Sequence, residues 1–501
     1  MRRSIAAGFA SVAKGFLLHN HRVQLGNTRA SPSSSLCFWI RAFSNYRKIL
    51  RSSRLHKLQF NEALDLFTRM ALSNPLPSIV DFTTLLSVIA KMKRYDVVIS
   101  LFEQMQILGI SPVLYTYNIV LNCLCQSYQP SLASSFLGKM IKLSFEPDVV
   151  SFTSLINGFC QRNRIDDAIA LFNQIFELGY RPNVVTYTAL IHSLCKNRDL
   201  NLALNLFDEM QTEEIKPNVV TYNSLITGLC DSGRWSDAAS LLKDMMKKEI
   251  DPNVITFTAL IDGFVKAGKL FEALQLYKLM LQMFVAPNVF TLTALIKGFC
   301  MDGRLNEAER IFYSMESEGC FPNVVTYTTL IHGFCKSKRV EDGMRFFYEM
   351  LQRGVAANTI TYTALIQGYC RVGNTNVAQH VFNLMGSPDV RTYNVLLDGL
   401  CCNGKVERAL MVFEYMRERG MDVSIVTYTI VIQGMCKAGK VEDAFGLFCS
   451  LESRGVKPNV VTYRTMITGF RRRGLIREGD KLFKKMVEDG FLPNEKCVLS
   501  R

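Results

Sequence analysis

Fifteen cysteines, six histidines and three glycine-rich stretches ending in lysine are the residues of this 501-residue chain whose types could do chemistry. Thiolates could hold zinc or form disulfides, imidazoles could bind a metal or move protons, and glycine–lysine stretches could cradle a phosphate. Spacing decides against each. Nine cysteines (Cys125, Cys160, Cys195, Cys230, Cys300, Cys335, Cys370, Cys401 and Cys436) recur at one register of a repeating pattern, and no Cys-x-x-Cys pair exists, so the ligand spacing of a zinc site is missing. Equivalent positions on neighbouring helix pairs lie at least about 8–10 Å apart, beyond disulfide reach. These thiols are expected as small core residues in a reducing compartment. Residues 263–269, 399–405 and 434–440 match the start of a phosphate loop, but Leu270, Val406 and Val441 follow where Ser or Thr would hold magnesium. None of His19, His21, His56, His192, His332 and His380 has Glu two places on, so the H-x-E of a zinc deaminase is absent. The expectation is a protein that is not an enzyme and takes no metal or cofactor.

The chemistry that remains is recognition. Counting from the first residue of Val184-Val185-Thr186-Tyr187 as position 1, position 5 holds Thr83, Asn118, Thr153, Thr188, Asn223, Thr258, Thr293, Thr328, Thr363, Asn394, Thr429 and Arg464. Every step is 35 residues except one of 31, between Thr363 and Asn394. Position 2 is apolar in most repeats: Val150, Val185, Val220, Ile255, Phe290, Val325, Ile360, Val426 and Val461. Position 9 is polar, as in Asn157, His192, Asp262 and Lys297, and position 13 is often basic, as in Lys196, Lys266, Lys336, Arg371 and Lys437. At 100° per residue, positions 2, 5, 9 and 13 share one stripe of a helix. An apolar plate, a small hydrogen-bonding group and a cation, once per repeat, suit single-stranded RNA, whose bases stack, are read on their edges and bring phosphates to neutralise. A cation near a helix end also offsets the helix dipole, which accounts for position 13 equally well. It does not account for the Thr/Asn choice at position 5.

Helices must position this stripe. Apolar residues at positions 1, 4, 7, 8 and 11, for example Val184, Tyr187, Leu190, Ile191 and Leu194, follow a helical period. Gly at position 15, as in Gly233 and Gly268, ends that helix, and Ala203, Phe207 and Met210 show the buried face of a second one. Pro at position 34, as in Pro182 and Pro217, stops the hairpin. The expected fold class is all-α: a right-handed α-solenoid superhelix of helix–turn–helix repeats. Twelve repeats begin at residues 79, 114, 149, 184, 219, 254, 289, 324, 359, 390, 425 and 460, the last ending at 494. A degenerate unit at 44–78 precedes them and a short tail, 495–501, follows.

Charge is concentrated at the start. Residues 1–61 hold eleven Lys or Arg and no acid, and the remainder carries 47 basic and 44 acidic residues. The formal charge of +14 therefore says little about the repeats. An acid-free, Arg- and Ser-rich segment is the composition of an organellar transit peptide. Residues 1–43 are expected to be that address, cut after Phe43 of Arg41-Ala42-Phe43-Ser44, with the mitochondrion as destination and the chloroplast as alternative. No apolar stretch is long enough to span a membrane.

The 35-residue period with a Val-Val-Thr-Tyr-Asn/Thr opening resembles the pentatricopeptide repeat family, of the plain type, over residues 79–494. Ser73 to Pro77 followed by Phe82-Thr83-Thr84-Leu85-Leu86 resembles its restorer-of-fertility-like branch. The resemblance implies that position 5 and the last position of each repeat choose one base together. Those last residues are Val113, Asp148, Asn183, Asn218, Asn253, Asn288, Asn323, Asn358, Asp389, Ser424, Asn459 and Asn494. The family pairing then implies 5′-N-U-A-A-Y-A-A-A-G-C-A-N-3′, with Thr83/Val113 and Arg464/Asn494 outside the pattern. It further implies a monomeric, sequence-specific RNA-binding protein of mitochondria acting in transcript maturation (5′-end processing, cleavage or stabilisation), with a separate endonuclease doing the chemistry. The rival is a scaffold holding an extended peptide. A peptide groove needs a few unique side chains, whereas a code needs the same positions filled in every repeat.

Overall fold

The computed structural model of the protein describes residues 58–73, 75–127 and 129–491. The address segment, the start of the degenerate repeat, Asn494 and the tail lie outside the described residues. Among the described residues there are 25 helices and no strand. A typical repeat gives two helices of 13 residues, such as Val219–Asp231 and Trp235–Lys247. Between them the chain turns through one left-handed residue. That residue is Gly233 in this repeat, at φ 77°, whereas Lys338 takes the same conformation at φ 63° without the glycine's freedom. No described helix is long and apolar enough to cross a membrane.

The chain divides after Ser193 into two compact units. In the first, Phe102 meets Tyr117 edge-on at 5.5 Å and Phe172 meets Tyr187 at 5.1 Å. In the second, the same contact joins Phe207 to Tyr222, Phe312 to Tyr327, Phe347 to Tyr362, Phe413 to Tyr428 and Phe448 to Tyr463. The Phe on the second helix of one repeat thus packs on the Tyr of the next repeat's first helix. Each such pair adds about 0.5–1.5 kcal/mol beyond the area it buries. In the second unit one cluster of buried residues extends from Leu270 to Met486.

First helices lie against first helices through an unusually close contact. A methyl group added at Gly368 would sit 2.7 Å from Cys335 Cβ and 2.8 Å from its Sγ. The same approach recurs at Gly158 on Cys125 in the first unit and at Gly228 on Cys195 and Gly263 on Cys230 in the second. The periodic cysteines are free thiols, and those at Cys195, Cys230, Cys335 and Cys370 are buried. Burial pushes Cys335 up to about 12, so it is a neutral packing group rather than a thiolate.

The short ninth repeat keeps its place in the stack. Its second helix, Thr375–Asn383, has 9 residues instead of 13. Ala378 and Phe382 stay buried, Phe382 meets Tyr393 at 4.8 Å, and Gly399 still faces Cys370. The lost turn comes from the outer end, where Met385 falls beyond the helix and is half-buried while its equivalents Met350 and Met416 are buried.

Gly368→Ala should therefore destabilise the second unit by about 1–3 kcal/mol through overpacking. Cys335→Gly, which removes both contacted atoms, should recover part of that loss in the double variant. Urea unfolding followed by circular dichroism measures both, and simple additivity of the two substitutions would refute the contact as the cause.

Candidate functional site

Among the described residues, the last residue of a repeat is the N-cap of the next repeat's first helix. Asn253 has extended backbone, φ −110° and ψ −179°, and its Oδ1 accepts from the amides of Ile255 and Thr256 at 3.0 and 3.2 Å. Asn183, Asn218 and Asn323 accept from the same two amides, while Asn288, Asn358, Asp148, Asp389 and Asn459 accept from the second of them. Asn and Asp lead the residues that can do this, because a short side chain returns its oxygen to the orphan amides of the first turn. Val113 has no polar side-chain atom, and the Ser424 side chain makes no cap bond.

The cap bond also fixes which atom points elsewhere. An amide offers an acceptor and two donors; with Oδ1 held by the helix, Nδ2 is the group left to present. A capping carboxylate keeps a second oxygen. Asp389 Oδ1 accepts from the Thr392 hydroxyl and amide, at 2.6 and 2.8 Å, and these bonds hold its carboxyl below the usual range.

Position 5 lies beside this cap, joined to it by position 3 of the following repeat. Thr328 and Thr361 hydroxyls lie 2.7 Å apart, and Thr361 donates to Asn358 Oδ1 at 3.0 Å. Thr83–Thr116, Thr153–Thr186, Thr258–Thr291, Thr293–Thr326 and Thr429–Thr462 repeat the first bond, and Thr363–Thr392 makes it at 3.3 Å. Asn118 and Asn223 reach the cap directly: Asn118 Nδ2 donates to Asp148 Oδ1 at 3.0 Å and lies 3.2 Å from its Oδ2, and Asn223 Nδ2 donates to Asn253 Oδ1 at 3.2 Å. Their own carbonyl oxygens take the position-3 hydroxyl, from Ser151 at 2.5 Å and from Thr256 at 2.6 Å. Repeat ten breaks the scheme. Asn394 Oδ1 and Thr427 Oγ1 are buried without a partner, next to Ser424.

The position-3 hydroxyl was not picked out by sequence reasoning. Its signal was available, since Thr or Ser recurs there from Thr116 to Thr462. Fully buried Thr256, Thr291, Thr326, Thr361, Thr392 and Thr462 serve as the hinge between two readable positions, a link that Thr427 does not make.

Position 2 stands on the solvent side of this row. Val150 is 54%, Val220 58%, Ile255 57%, Phe290 66% and Ile360 66% exposed, whereas Phe152, Tyr222, Phe257 and Leu292 at position 4 are buried. Val185, Val325, Val426 and Val461 are exposed in the same way. Lone exposed apolar side chains are ordinary; one per repeat in register is not. The position-13 cations Lys196, Lys336, Arg371 and Lys437 are exposed as well. Lys266 is engaged by Asp231 and Asp262, and Lys437 Nζ lies 3.7 Å from Cys402 Sγ. Arg464 is exposed at position 5 of the last repeat. Among the described residues no cluster of His, Cys, Asp or Glu could hold a metal.

The PPR repeat family matches residues 77–126, 147–196, 182–231, 217–266, 252–301, 287–336, 322–371, 388–437 and 423–472. This chain belongs to the PPR repeat family. The single PPR repeat matches residues 115–145, 360–387 and 461–491 besides. The PPR protein is 71% identical over 104 residues to a mitochondrial pentatricopeptide repeat-containing protein of Arabidopsis thaliana, a stretch that spans 20% of each chain. It is 62% identical over 88 residues to a second, 17% of this chain and 16% of that one. These matches thus span about a fifth or less of the curated relatives' length. A crystal structure of a pentatricopeptide repeat protein from maize covers 97% of this PPR protein and 89% of its own chain, at TM-score 0.51 and 21% identity, a likeness of fold.

Two substitutions separate the cap from whatever the side chain's outer atom does. Asn323→Ala should cost about 1 kcal/mol of stability by leaving the Val325 and Thr326 amides without their acceptor. Asn323→Asp, an equally good cap, should leave the thermal midpoint close to the parent's. A midpoint lowered as far by Asp as by Ala would refute the cap assignment.

Proposed function

We propose that this PPR protein binds single-stranded RNA sequence-specifically in mitochondria, one base per repeat, along its first helices. The observation that carries the reading is the register of three features in most repeats: an exposed apolar residue at position 2, a hydroxyl or amide at position 5, and a cap residue whose outward atom is set. A base laid on position 2 gains stacking worth about 1–3 kcal/mol and turns its Watson–Crick edge to the other two.

The cap geometry supports a physical basis for the base preferences. An outward Asn Nδ2 is a donor and suits a ring acceptor, N1 of adenine or N3 of cytosine. The outward oxygen of an ionised Asp is an acceptor and suits N1–H of guanine or N3–H of uracil. The Thr/Asn pairs are accordingly assigned to A, Thr363 with Asp389 to G, and Asn118 with Asp148 to U. Asn394 with Ser424 is assigned to C, where a hydroxyl donates to N3. The position-5 residue adds the size choice, a compact Thr for a purine and a longer Asn for a pyrimidine.

The role in the organelle is transcript maturation. An array held on one sequence melts local structure, blocks an exonuclease or presents a cleavage site to a separate endonuclease, and needs no reactive group of its own. The mitochondrial names of the relatives support the destination, as does the acid-free composition of residues 1–43. The peptide-scaffold reading has less support, because the same groups recur in repeat after repeat where a peptide groove needs a few unique ones.

Thr363→Asn should move repeat nine from G to U by placing an amide against Asp389, as Asn118 lies against Asp148. The penalty on the parental oligonucleotide is about 1–3 kcal/mol. Fluorescence anisotropy with G- and U-containing 12-mers checks it; indifference of the variant to the two would sink the pairing. In the same assay Asn323→Asp should exchange A for G at repeat seven.

Residues 1–60 fused to a fluorescent reporter should direct it to mitochondria, and the mature chain should begin at Ser44. Diffuse cytosolic fluorescence would remove the address and leave a basic arm.

A further inference from the structure

Repeats five to seven depart from their neighbours in charge. Position 13 of repeat five is Asp231, where repeats four, six, eight, nine and eleven have Lys196, Lys266, Lys336, Arg371 and Lys437. Position 9 of repeat six is Asp262. Both carboxylates face lysines. Lys266 Nζ lies 2.8 Å from Asp262 Oδ2, one turn back on its own helix, and 3.1 Å from Asp231 Oδ1 of the repeat before. Lys297 Nζ, from the repeat after, reaches Asp262 Oδ1 at 3.4 Å. Asp231, Lys266, Asp262 and Lys297 form an alternating row whose charges cancel. The hydrogen bond to Asp262 helps hold Lys266 above its ordinary value.

Two repeats on, the surroundings reverse. No carboxylate among the described residues pairs with Lys336 or Arg371. His332 stands near both, and burial together with these two cations pushes its imidazole below its ordinary value. One stretch of the stripe is therefore neutral and the next is cationic. The individual pairs are exposed and weak, so the consequence lies in the net charge that an approaching phosphate meets, not in the strength of any one bond.

We propose that Asp231 and Asp262 stand in for two phosphates on this face: they occupy Lys266 and Lys297, so that a bound strand is held opposite repeats five to seven by its bases and opposite repeats eight and nine by its backbone as well. The inference rests on the reading of the first helices as an RNA-binding face. Its consequence is a division of labour along the site. Opposite repeats five to seven a mismatched base has no backbone attraction to offset it, so these positions discriminate more sharply than repeats eight and nine.

The test uses the full-length chain and its 12-mer, with affinity measured by fluorescence anisotropy from 50 to 200 mM KCl. Each phosphate contact with a single strand steepens the salt dependence by about 0.7 in log–log slope. Asp231→Asn/Asp262→Asn frees two lysines, so its affinity should fall about sevenfold more than the parent's over that range. Glu442→Gln/Asp443→Asn, an equal charge change on a second helix, should leave the slope at the parental value. Single uncharged methylphosphonate linkages should weaken parental binding severalfold opposite repeats eight and nine and hardly at all opposite repeats five to seven. A parental slope in the Asp231/Asp262 variant, or equal methylphosphonate losses along the site, overturns the proposal while leaving RNA binding intact. Failure of the parent to bind any oligonucleotide overturns both.

Discussion

Everything in each unit depends on how closely one first helix can lie on the next. Gly368 has no side chain, and Cys335 of the repeat before fills the space where one would be. That approach sets the distance over which position 5 of one repeat reaches position 3 of the following one, 2.7 Å between Thr328 and Thr361. A larger residue at either place would part the helices, and a hydrogen-bond network of this kind weakens steeply with a few tenths of an ångström. The cysteines are thus positioning residues for chemistry they never touch. Their position is supported from the far side by the aromatic contacts between second and first helices, such as Phe347 on Tyr362.

Much of this was legible in the sequence because a repeat states its pattern many times. The helices, the left-handed turn at Gly233, the buried Phe207 and the solvent-facing position 2 all follow from the 35-residue register. The nature of the last position was not legible. Asn253 reads equally as a turn residue, a cap or a base contact, and only the bonds from Ile255 and Thr256 separate its inner atom from its outer one. Thr256 was overlooked for a related reason. Its partners, Asn223 and Asn253, lie 33 and 3 residues away, and the longer reach belongs to the stacking rather than to any single helix.

The cations show the same limit from the other direction. Lys266 and Lys336 occupy one position of the repeat and look interchangeable in sequence. Their surroundings differ because Asp231 stands 35 residues before Lys266, whereas Met301 stands 35 residues before Lys336. Position in a motif predicts where a side chain stands, whereas its electrostatic state depends on the repeats on either side.

The cap at the end of each repeat has one more consequence. A residue there must start a helix whatever else it does, and the side chains able to do so well are few: Asn, Asp and Ser lead them. On the proposed reading these are also the letters with which the array names bases. The vocabulary of recognition is then bounded by the vocabulary of helix initiation, and moving between its words leaves the scaffold almost undisturbed. On that reading, single substitutions at Asn218, Asn288 or Asp389 carry the array from one RNA target to another, each new protein folding as well as its ancestor.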